Sequence, residues 1–167
     1  MANEQSHTVS NSGCDYLEVG FSQYHHTPPR MITLEEFTNS VKVGNGTEVF
    51  TSAYRYVSTD PYSGPITSNF YLDFDFEKDP DLARREALKV ARWFNDIGIP
   101  EVGIRIVFSG CKGFWIFISK HFFNASPRED LPEVWERLAR ILKEYFKLTT
   151  LDFQPYFRRA MIRVNSS

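Results

Sequence analysis

Residues 68–77 constrain the fold of this chain more than any other segment. Apolar side chains alternate there with polar or acidic ones, namely Phe70, Leu72, Phe74 and Phe76 against Tyr71, Asp73, Asp75 and Glu77. Side chains on a β-strand point alternately to opposite faces, so this period of two predicts a strand with one apolar and one acidic face. The fold must therefore cover one side of a sheet and leave the acidic side open.

Two helices and three further strands are predicted after this strand. Pro80 after Asp79 is typical of the first turn of a helix, and apolar side chains then recur at helical spacing. Glycines at positions 110 and 113 predict the turn of a hairpin. The expected elements are a helix over residues 79–97, a hairpin over 103–119, a helix that starts near 126 or 131 and ends at 146, and a strand over 159–164.

The element order β-α-β-β-α-β predicts an α+β fold in which both helices cover one face of an antiparallel sheet. This is the ferredoxin-like or RNA-recognition-motif (RRM) topology. The open face of the sheet would carry Asp73 and Asp75 from the first strand and Arg159 and Arg163 from the last.

The N-terminal region is less regular. Residues 1–30 are rich in Ser, Asn, His and Pro without a steady period, and we expect a loosely structured segment there. A short helix over residues 34–41 and a strand over 49–57 are expected next. Residues 31–167 would then form a single domain, with the β-α-β-β-α-β core as its main part.

Composition excludes several classes of protein. Of the 167 residues, 42% are hydrophobic and 15 are Phe, which excludes intrinsic disorder for most of the chain. No apolar run is long enough to span a membrane, and the first residues lack the features of a signal peptide. We therefore expect no membrane partner and a cytoplasmic or nucleoid-associated protein. The two cysteines and four histidines form no zinc-binding pattern.

The charges are unevenly distributed along the chain. Residues 1–100 carry 8 Lys and Arg against 14 Asp and Glu, whereas residues 101–167 carry 11 against 7. An acidic half folded against a basic half suits a site in which carboxylates hold cations and arginines hold phosphates.

The acidic face of the first strand is the strongest candidate site. Asp73 and Asp75 are two residues apart, so their carboxylates project from the same face and repel each other unless a cation lies between them. Mg²⁺ and Mn²⁺ prefer such oxygen ligands, and paired-metal sites for phosphoryl transfer use shared aspartates. Asp152, in the connection before the last strand, is positioned to close onto this face.

The predicted hairpin turn is a candidate phosphate site. Gly110 and Gly113 let the backbone approach a ligand, and Lys112 adds positive charge. Arg159 and Arg163 on the last strand are candidates for contact with a triphosphate or with a template backbone.

In this order, these motifs resemble those of the archaeo-eukaryotic primase superfamily, which includes the small catalytic subunit of DNA primase and the related primase-polymerases. The first family motif, hDhD on a strand, is matched by residues 72–75. The second, SGxxGxH, is matched by residues 109–115, except that Trp115 stands where the family has histidine. The third is matched by Asp152 followed by residues 159–166. The resemblance covers roughly residues 48–167.

The resemblance implies a metal-dependent nucleotidyltransferase that adds NTP or dNTP to a primer or to an initiating 3′-hydroxyl. Asp73, Asp75 and Asp152 would be catalytic and would bind two Mg²⁺ or Mn²⁺ ions. We assign nucleotide binding to Ser109, Gly110, Lys112, Gly113, Trp115 and Arg163, and nucleic-acid binding to Arg158 and Arg159. The expected partners are a single-stranded DNA template with its primer, and a large primase subunit or another replication protein.

Two alternatives remain open from the sequence. A tryptophan cannot replace a charged imidazole at a phosphate, so Trp115 favours a noncatalytic primase-like subunit that binds nucleic acid. The second alternative is an RRM-type RNA-binding module, because Lys112, Gly113 and Phe114 open like the third-strand motif of that family. The acidic pair Asp73 and Asp75 argues against RNA binding on that face.

Overall fold

The structure of the protein is a computed structural model that describes residues 13–21, 29–40, 49–109 and 112–164. Within these ranges it is a mixed α+β fold with two antiparallel sheets. The helices are α1 Leu34–Ser40, α2 Pro80–Asp96 and α3 Leu131–Phe146. The strands are β1 Tyr16–Phe21, β2 Arg30–Thr33, β3 Val49–Ser52, β4 Arg55–Tyr56, β5 Ile66–Thr67, β6 Phe70–Asp75, β7 Ile104–Phe108, β8 Gly113–Ile118, β9 Leu151–Asp152 and β10 Met161–Val164.

The four-stranded sheet is built from the part of the chain with the clearest sequence pattern. Its strand order is β7-β8-β6-β9, and each neighbouring pair is antiparallel. In chain order the elements are β6, α2, β7, β8, α3 and β9. The predicted α+β class, the first strand, both helices and the hairpin are thus confirmed.

Strand β6 shows why the alternating segment folds as it does. Phe70, Leu72 and Phe74 are fully buried on the side that the helices cover. Phe70 contacts Phe94 of α2 at 6.3 Å between ring centroids and Trp135 of α3 at 5.2 Å. Burying an apolar side chain of this size contributes about 2 to 3 kcal/mol, so a shift of the strand by one residue would expose the core and is strongly disfavoured.

Helix α2 begins where the sequence predicts it. The Asp79 side chain accepts a hydrogen bond from the Leu82 N–H at 3.0 Å, and Pro80 occupies the first turn. The carboxylate satisfies an N–H that has no partner within the helix. The capped start fixes the end of β6, and with it the position of the acidic residues that precede α2.

The last strand of the chain lies elsewhere than predicted. The sequence predicts residues 159–164 as the last strand of the same sheet as the aspartates, but β10 pairs with β3 in the other sheet, whose order is β10-β3-β1-β4-β5 with β2 beside β1. The place next to β6 belongs to β9, Leu151–Asp152. Two residues are too few to show a periodic pattern, which is why the sequence did not reveal this strand.

The expectation of a loosely structured segment over residues 1–30 is wrong for residues 16–21. They form β1, a central strand of the larger sheet, in which Leu17, Glu18 and Val19 are all buried. Three consecutive buried residues have no alternation, so the period-two pattern is absent. Residues 1–12 and 22–28 lie outside the described residues, and the prediction for them stays untested.

The other upstream elements agree in kind. Helix α1 is the predicted short helix, and the strand predicted over 49–57 is divided into β3 and β4. Among the described residues, no helix is both long and apolar enough to cross a membrane. The cytoplasmic or nucleoid location stays a prediction.

Candidate functional site

Asp73 and Asp152 are direct cross-strand partners on β6 and β9. Residues opposite each other in an antiparallel pair project from the same face with Cβ atoms about 5 Å apart. Asp75 lies two residues further along β6, on that same face, where Gly113 of β8 is its partner. The fold therefore brings the three predicted aspartates to one face of the sheet, and Asp152, predicted in the connection before the last strand, lies on strand β9.

The surroundings of Asp73 disfavour the negatively charged form of its carboxylate. The pKa of Asp73 is raised to about 7. Burial is the largest cause, the negative charges of Asp152 and Asp75 add to it, and the positive charge of Lys112 lowers the pKa. A carboxylate in this position favours a bound proton or a nearby cation over the bare charge. Burial and two acidic neighbours therefore make a positive ligand favourable at Asp73.

Asp75 has one satisfied and one unsatisfied oxygen. Its Oδ2 lies 3.6 Å from the Lys112 Nζ, which also lies 3.7 Å from Glu77 Oε2. Its Oδ1 is buried and has no hydrogen-bond partner among the described residues. A buried carboxylate oxygen without a partner carries a desolvation cost, which a ligand with positive charge would relieve.

Asp152 is turned toward its own backbone. Its Oδ1 accepts a hydrogen bond from the Gln154 N–H at 3.0 Å. In the described part of the chain no three acidic, histidine or cysteine side chains stand close enough together to hold a metal ion. The oxygen-only donor set fits Mg²⁺ or Mn²⁺ in its chemistry, but the three carboxylates are not gathered into one ligand group.

The hairpin turn between β7 and β8 is tightly constrained. Ser109 Oγ accepts from the Gly113 N–H at 3.1 Å, and the Ser109 N–H donates to the Gly113 carbonyl at 2.9 Å. A Cβ at Gly113 would lie 2.6 Å from the Phe74 carbonyl oxygen, so close strand approach requires glycine there. The Gly113 N–H is thus engaged within the turn, and Gly110 lies outside the described residues.

Arg163 links the two sheets at this hairpin. Its Nη1 donates to the Ser109 carbonyl at 3.2 Å, and its guanidinium stands 5.8 Å from the Phe50 ring centroid. An exposed arginine therefore sits beside the turn that carries Lys112. Arg163 reaches the turn from the other sheet, to which β10 belongs.

Arg158 and Arg159 have structural partners. Arg158 donates to the carbonyls of Pro61, Ser63 and Gly64 at 2.6, 2.8 and 2.5 Å. Arg159 donates to the carboxylate of Glu18, which is only 2% exposed, and to the Tyr62 hydroxyl. Both guanidinium groups hold separate chain segments together, and their assignment to nucleic acid stays a prediction.

Trp115 is the cross-strand partner of Asp73 on the other side of β6. Its ring is nearly parallel to that of Phe117, at 12° and 5.9 Å between centroids. The guanidinium of Arg105, on β7, lies 4.9 Å from the Phe117 centroid. We call Trp115, Phe117 and Arg105 the aromatic ladder. Sequence reasoning missed Phe117 and Arg105, although the spacing of 115 and 117 places both on one face.

A buried tyrosine network lies beside Asp73. The Tyr71 hydroxyl donates to the Pro155 carbonyl at 2.6 Å and lies 2.7 Å from the Tyr54 hydroxyl. The Tyr156 hydroxyl donates to the Tyr71 carbonyl at 2.6 Å, and the two rings stack at 5.4 Å. Burial raises the pKa of Tyr71 well above its usual range. These bonds fix the segment that follows Asp152, and no sequence pattern pointed to them.

The chain was compared with protein-family models, with curated proteins and with solved structures, and no match was found in any of the three. The functional interpretation therefore rests on the geometry and electrostatics of the open face.

Proposed function

We propose that the protein is a metal-dependent nucleotidyltransferase of the primase-polymerase type. It would add NTP or dNTP to a primer or an initiating 3′-hydroxyl on a single-stranded DNA template. The observation that carries this proposal is the pairing of Asp73 with Asp152 across β6 and β9, with Asp75 on the same face. Three carboxylates on one face of two neighbouring strands would supply the oxygen ligands of a two-metal site.

The strand order supports the same proposal. In the order β7-β8-β6-β9, the first and third strands of the β-α-β-β-α-β unit are central. We propose that this unit is the ferredoxin-like, RRM-type core that primase-polymerases use. The helices cover one face of the sheet. On the other face Tyr71 is buried in the tyrosine network, whereas Asp73 and Asp75 are partly exposed and would be within reach of a ligand.

The electrostatics of the aspartates favour a cation. A divalent ion would give the unpartnered Asp75 Oδ1 a partner and would compensate the negative charge that burial and neighbouring carboxylates disfavour on Asp73. The residues present therefore fit Mg²⁺ or Mn²⁺. Such an ion, when bound, supplies Lewis-acid stabilisation of the negative charge on the reacting phosphate. Asp73 and Asp75 on β6 would be its ligands, and Asp152 on β9 would complete the set once the carboxylates move closer together.

The hairpin residues would orient the triphosphate. Lys112 is bound to Asp75 and Glu77 at distances of 3.6 and 3.7 Å, which are loose for an ion pair. Its ammonium can therefore exchange these partners for phosphate oxygens at small cost. Ser109 shapes the turn, and the guanidinium of Arg163 stands at the Ser109 carbonyl, where it would add a second positive charge.

A noncatalytic, nucleic-acid-binding primase-like subunit is the second candidate. Trp115 stands directly opposite Asp73, where the resemblance expects histidine, and the described side chains form no ready three-ligand group. The RRM-type alternative has less support. Phe114, which matches the aromatic of that motif, packs against the core on the helix side rather than on the open face.

The decisive experiment is incorporation of labelled nucleotides on a single-stranded template, with and without a primer, in Mg²⁺ and in Mn²⁺. The test variant is Asp73→Ala/Asp75→Ala, and Asp96→Asn on the exposed side of α2 is the matched control. We expect product with the wild type and the control but not with the test variant. Equal synthesis by the double variant contradicts the two-metal assignment, and absence of synthesis in every lane favours the noncatalytic subunit.

A further inference from the structure

The aromatic ladder lies on the same face of the sheet as the aspartates but extends away from them toward the edge strand. Trp115 is opposite Asp73 on β6 and opposite Val107 on β7. Phe117 is opposite Arg105, whose side chain is exposed at the edge. Trp115 and Phe117 are themselves half-buried, so parts of both rings reach solvent.

The composition of this surface is unusual for a sheet face in contact with water. Two aromatic rings in nearly parallel planes continue into a guanidinium 4.9 Å from the second ring. Aromatic rings and arginine planes are the groups on which unpaired nucleobases stack, while the arginine charge attracts the phosphate backbone. A core-forming role accounts poorly for Arg105, because its charged group must remain in water.

The Trp115 ring is partly covered, because it contacts the buried Tyr71 ring at 5.9 Å between centroids. Gly113, the next residue on this face toward the hairpin, adds no side chain beside it. At the other end of the ladder Arg105 is exposed, and the outer plane of its guanidinium faces away from Phe117. The spacing within the ladder is set by strand geometry, because side chains two residues apart on a strand lie about 7 Å apart.

We infer that the aromatic ladder of Trp115, Phe117 and Arg105 binds single-stranded nucleic acid by base stacking, with the strand passing from the aspartates across β8 to the edge at β7. The inference builds on the proposed function, since the bound strand would be the template that the aspartate site copies. Stacking requires unpaired bases, so this surface is expected to bind duplex nucleic acid more weakly than a single strand.

The test measures binding without catalysis. A fluorescein-labelled oligothymidylate of about 20 nucleotides, long enough to cover a site of this kind, is titrated with protein in EDTA and followed by fluorescence anisotropy. Phe117→Leu keeps the apolar volume but removes the ring, and Arg105→Lys keeps the charge but removes the plane. Arg92→Ala is the matched control, because Arg92 lines a groove of about 580 Å³ along α2 and not the open face.

We expect Phe117→Leu and Arg105→Lys each to weaken binding by about tenfold, while Arg92→Ala has no effect. Loss of affinity of equal size in the Arg92 control, or no loss in either ladder variant, overturns the inference. Binding of a duplex as tight as that of the single strand also overturns it. Thermal melting of each variant identifies any that fail to fold, and Arg105→Lys, at an exposed position, keeps the test interpretable.

The outcome is separable from that of the proposed function. An oligouridylate of the same length distinguishes RNA from DNA as the preferred strand. If the ladder variants lose affinity but no variant or condition yields synthesis, the stacking inference stands and the nucleotidyltransferase proposal fails. If synthesis is found but the ladder variants bind normally, the proposal stands and the stacking inference fails.

Discussion

Asp73 and Asp152 face each other across β6 and β9, although α2, β7, β8 and α3 lie between them in the chain. Placing two carboxylates directly opposite on neighbouring strands is destabilising unless something compensates their charge. The fold nevertheless holds both in place, with Asp152 tied to Gln154 and with the following segment fixed by the tyrosine network. Binding of a cation would relieve this repulsion, as the proposed metal site requires.

The repulsion should be measurable as a pH-dependent loss of stability. Burial and two neighbouring carboxylates raise the pKa of Asp73 to about 7 in the folded state, whereas an unfolded aspartate titrates near about 3.9. The folded state therefore binds more protons, and its stability falls as the pH rises between these two values and levels off above about 7. In EDTA, Asp73→Asn removes this dependence.

We expect Asp73→Asn to melt about 4 °C above the wild type near pH 8, a gain of about 1 to 2 kcal/mol, and to differ little from it near about pH 4. Asp96→Asn, an exposed position on α2, is the matched control and should melt like the wild type at both pH values. Thermal denaturation followed by circular dichroism gives the comparison. If the variant is no more stable than the wild type near pH 8, the negative charge of Asp73 does not destabilise the folded protein.

The part of the fold that the sequence predicted is the part with local periodic signals. The alternation in β6, the helical spacing and capped start of α2, and the glycines of the hairpin are all readable within short windows. These windows also suffice to place Asp73 and Asp75 on one open face. Such windows do not show which strands pair when they are far apart in the chain.

The failures have that common cause. Strand β9 is two residues long, and β1 is buried on both faces, so neither has a pattern that sequence reasoning can detect. Arg159 was read as an outward-facing residue of the last strand, whereas it pairs with Glu18 from the opposite end of the chain. Long-range contacts of this kind depend on how the two sheets assemble, and no local pattern encodes them.

Gly113→Ala should destabilise the hairpin that carries Lys112. The new methyl group would lie 2.6 Å from the Phe74 carbonyl oxygen, a backbone atom that cannot move without distorting β6. We expect a loss of about 2 kcal/mol in urea denaturation. Gly20→Ala is the matched control, since the nearest atom there is the end of the Met161 side chain at 3.5 Å. Equal effects of the two substitutions would contradict the close approach of β8 to β6.

Arg159 offers a test between a structural role and nucleic-acid binding. Glu18 is 2% exposed and its carboxylate accepts hydrogen bonds from Arg159, so Arg159→Ala leaves a buried charge without its partner. Breaking a buried pair in this way costs about 3 kcal/mol. Adding Glu18→Gln should restore part of the lost stability, because the uncompensated charge is then gone. Urea denaturation of the single and double variants measures this.

The same two variants separate the roles of Arg159. If the arginine is structural, oligonucleotide affinity of the double variant, measured where it is folded, should equal that of the wild type. If Arg159 contacts the nucleic acid backbone, the double variant loses affinity although its stability has been partly recovered. Arg137→Ala/Glu133→Gln on the exposed side of α3 is the matched control, because it likewise removes one charge of each sign.

Lys112 should affect metal and nucleotide binding in opposite directions. Its ammonium lies 3.6 Å from Asp75 Oδ2 and competes with any cation for that carboxylate. Lys112→Met therefore should strengthen Mn²⁺ binding about fivefold, as expected for the loss of one partly exposed charge at this distance. The same substitution would remove the proposed phosphate contact of Lys112, so the affinity for dATP should fall by a similar factor.

Isothermal titration with Mn²⁺ and, separately, with dATP measures both effects on one sample of protein. Lys78→Met is the matched control, because Lys78 lies outside β6 and is exposed. A decrease in both affinities would indicate that Lys112 merely supports the hairpin, and an increase in both would remove it from the triphosphate site. Opposite changes are expected only if one ammonium group neutralises the aspartates in the free protein and moves to the phosphates when a nucleotide binds.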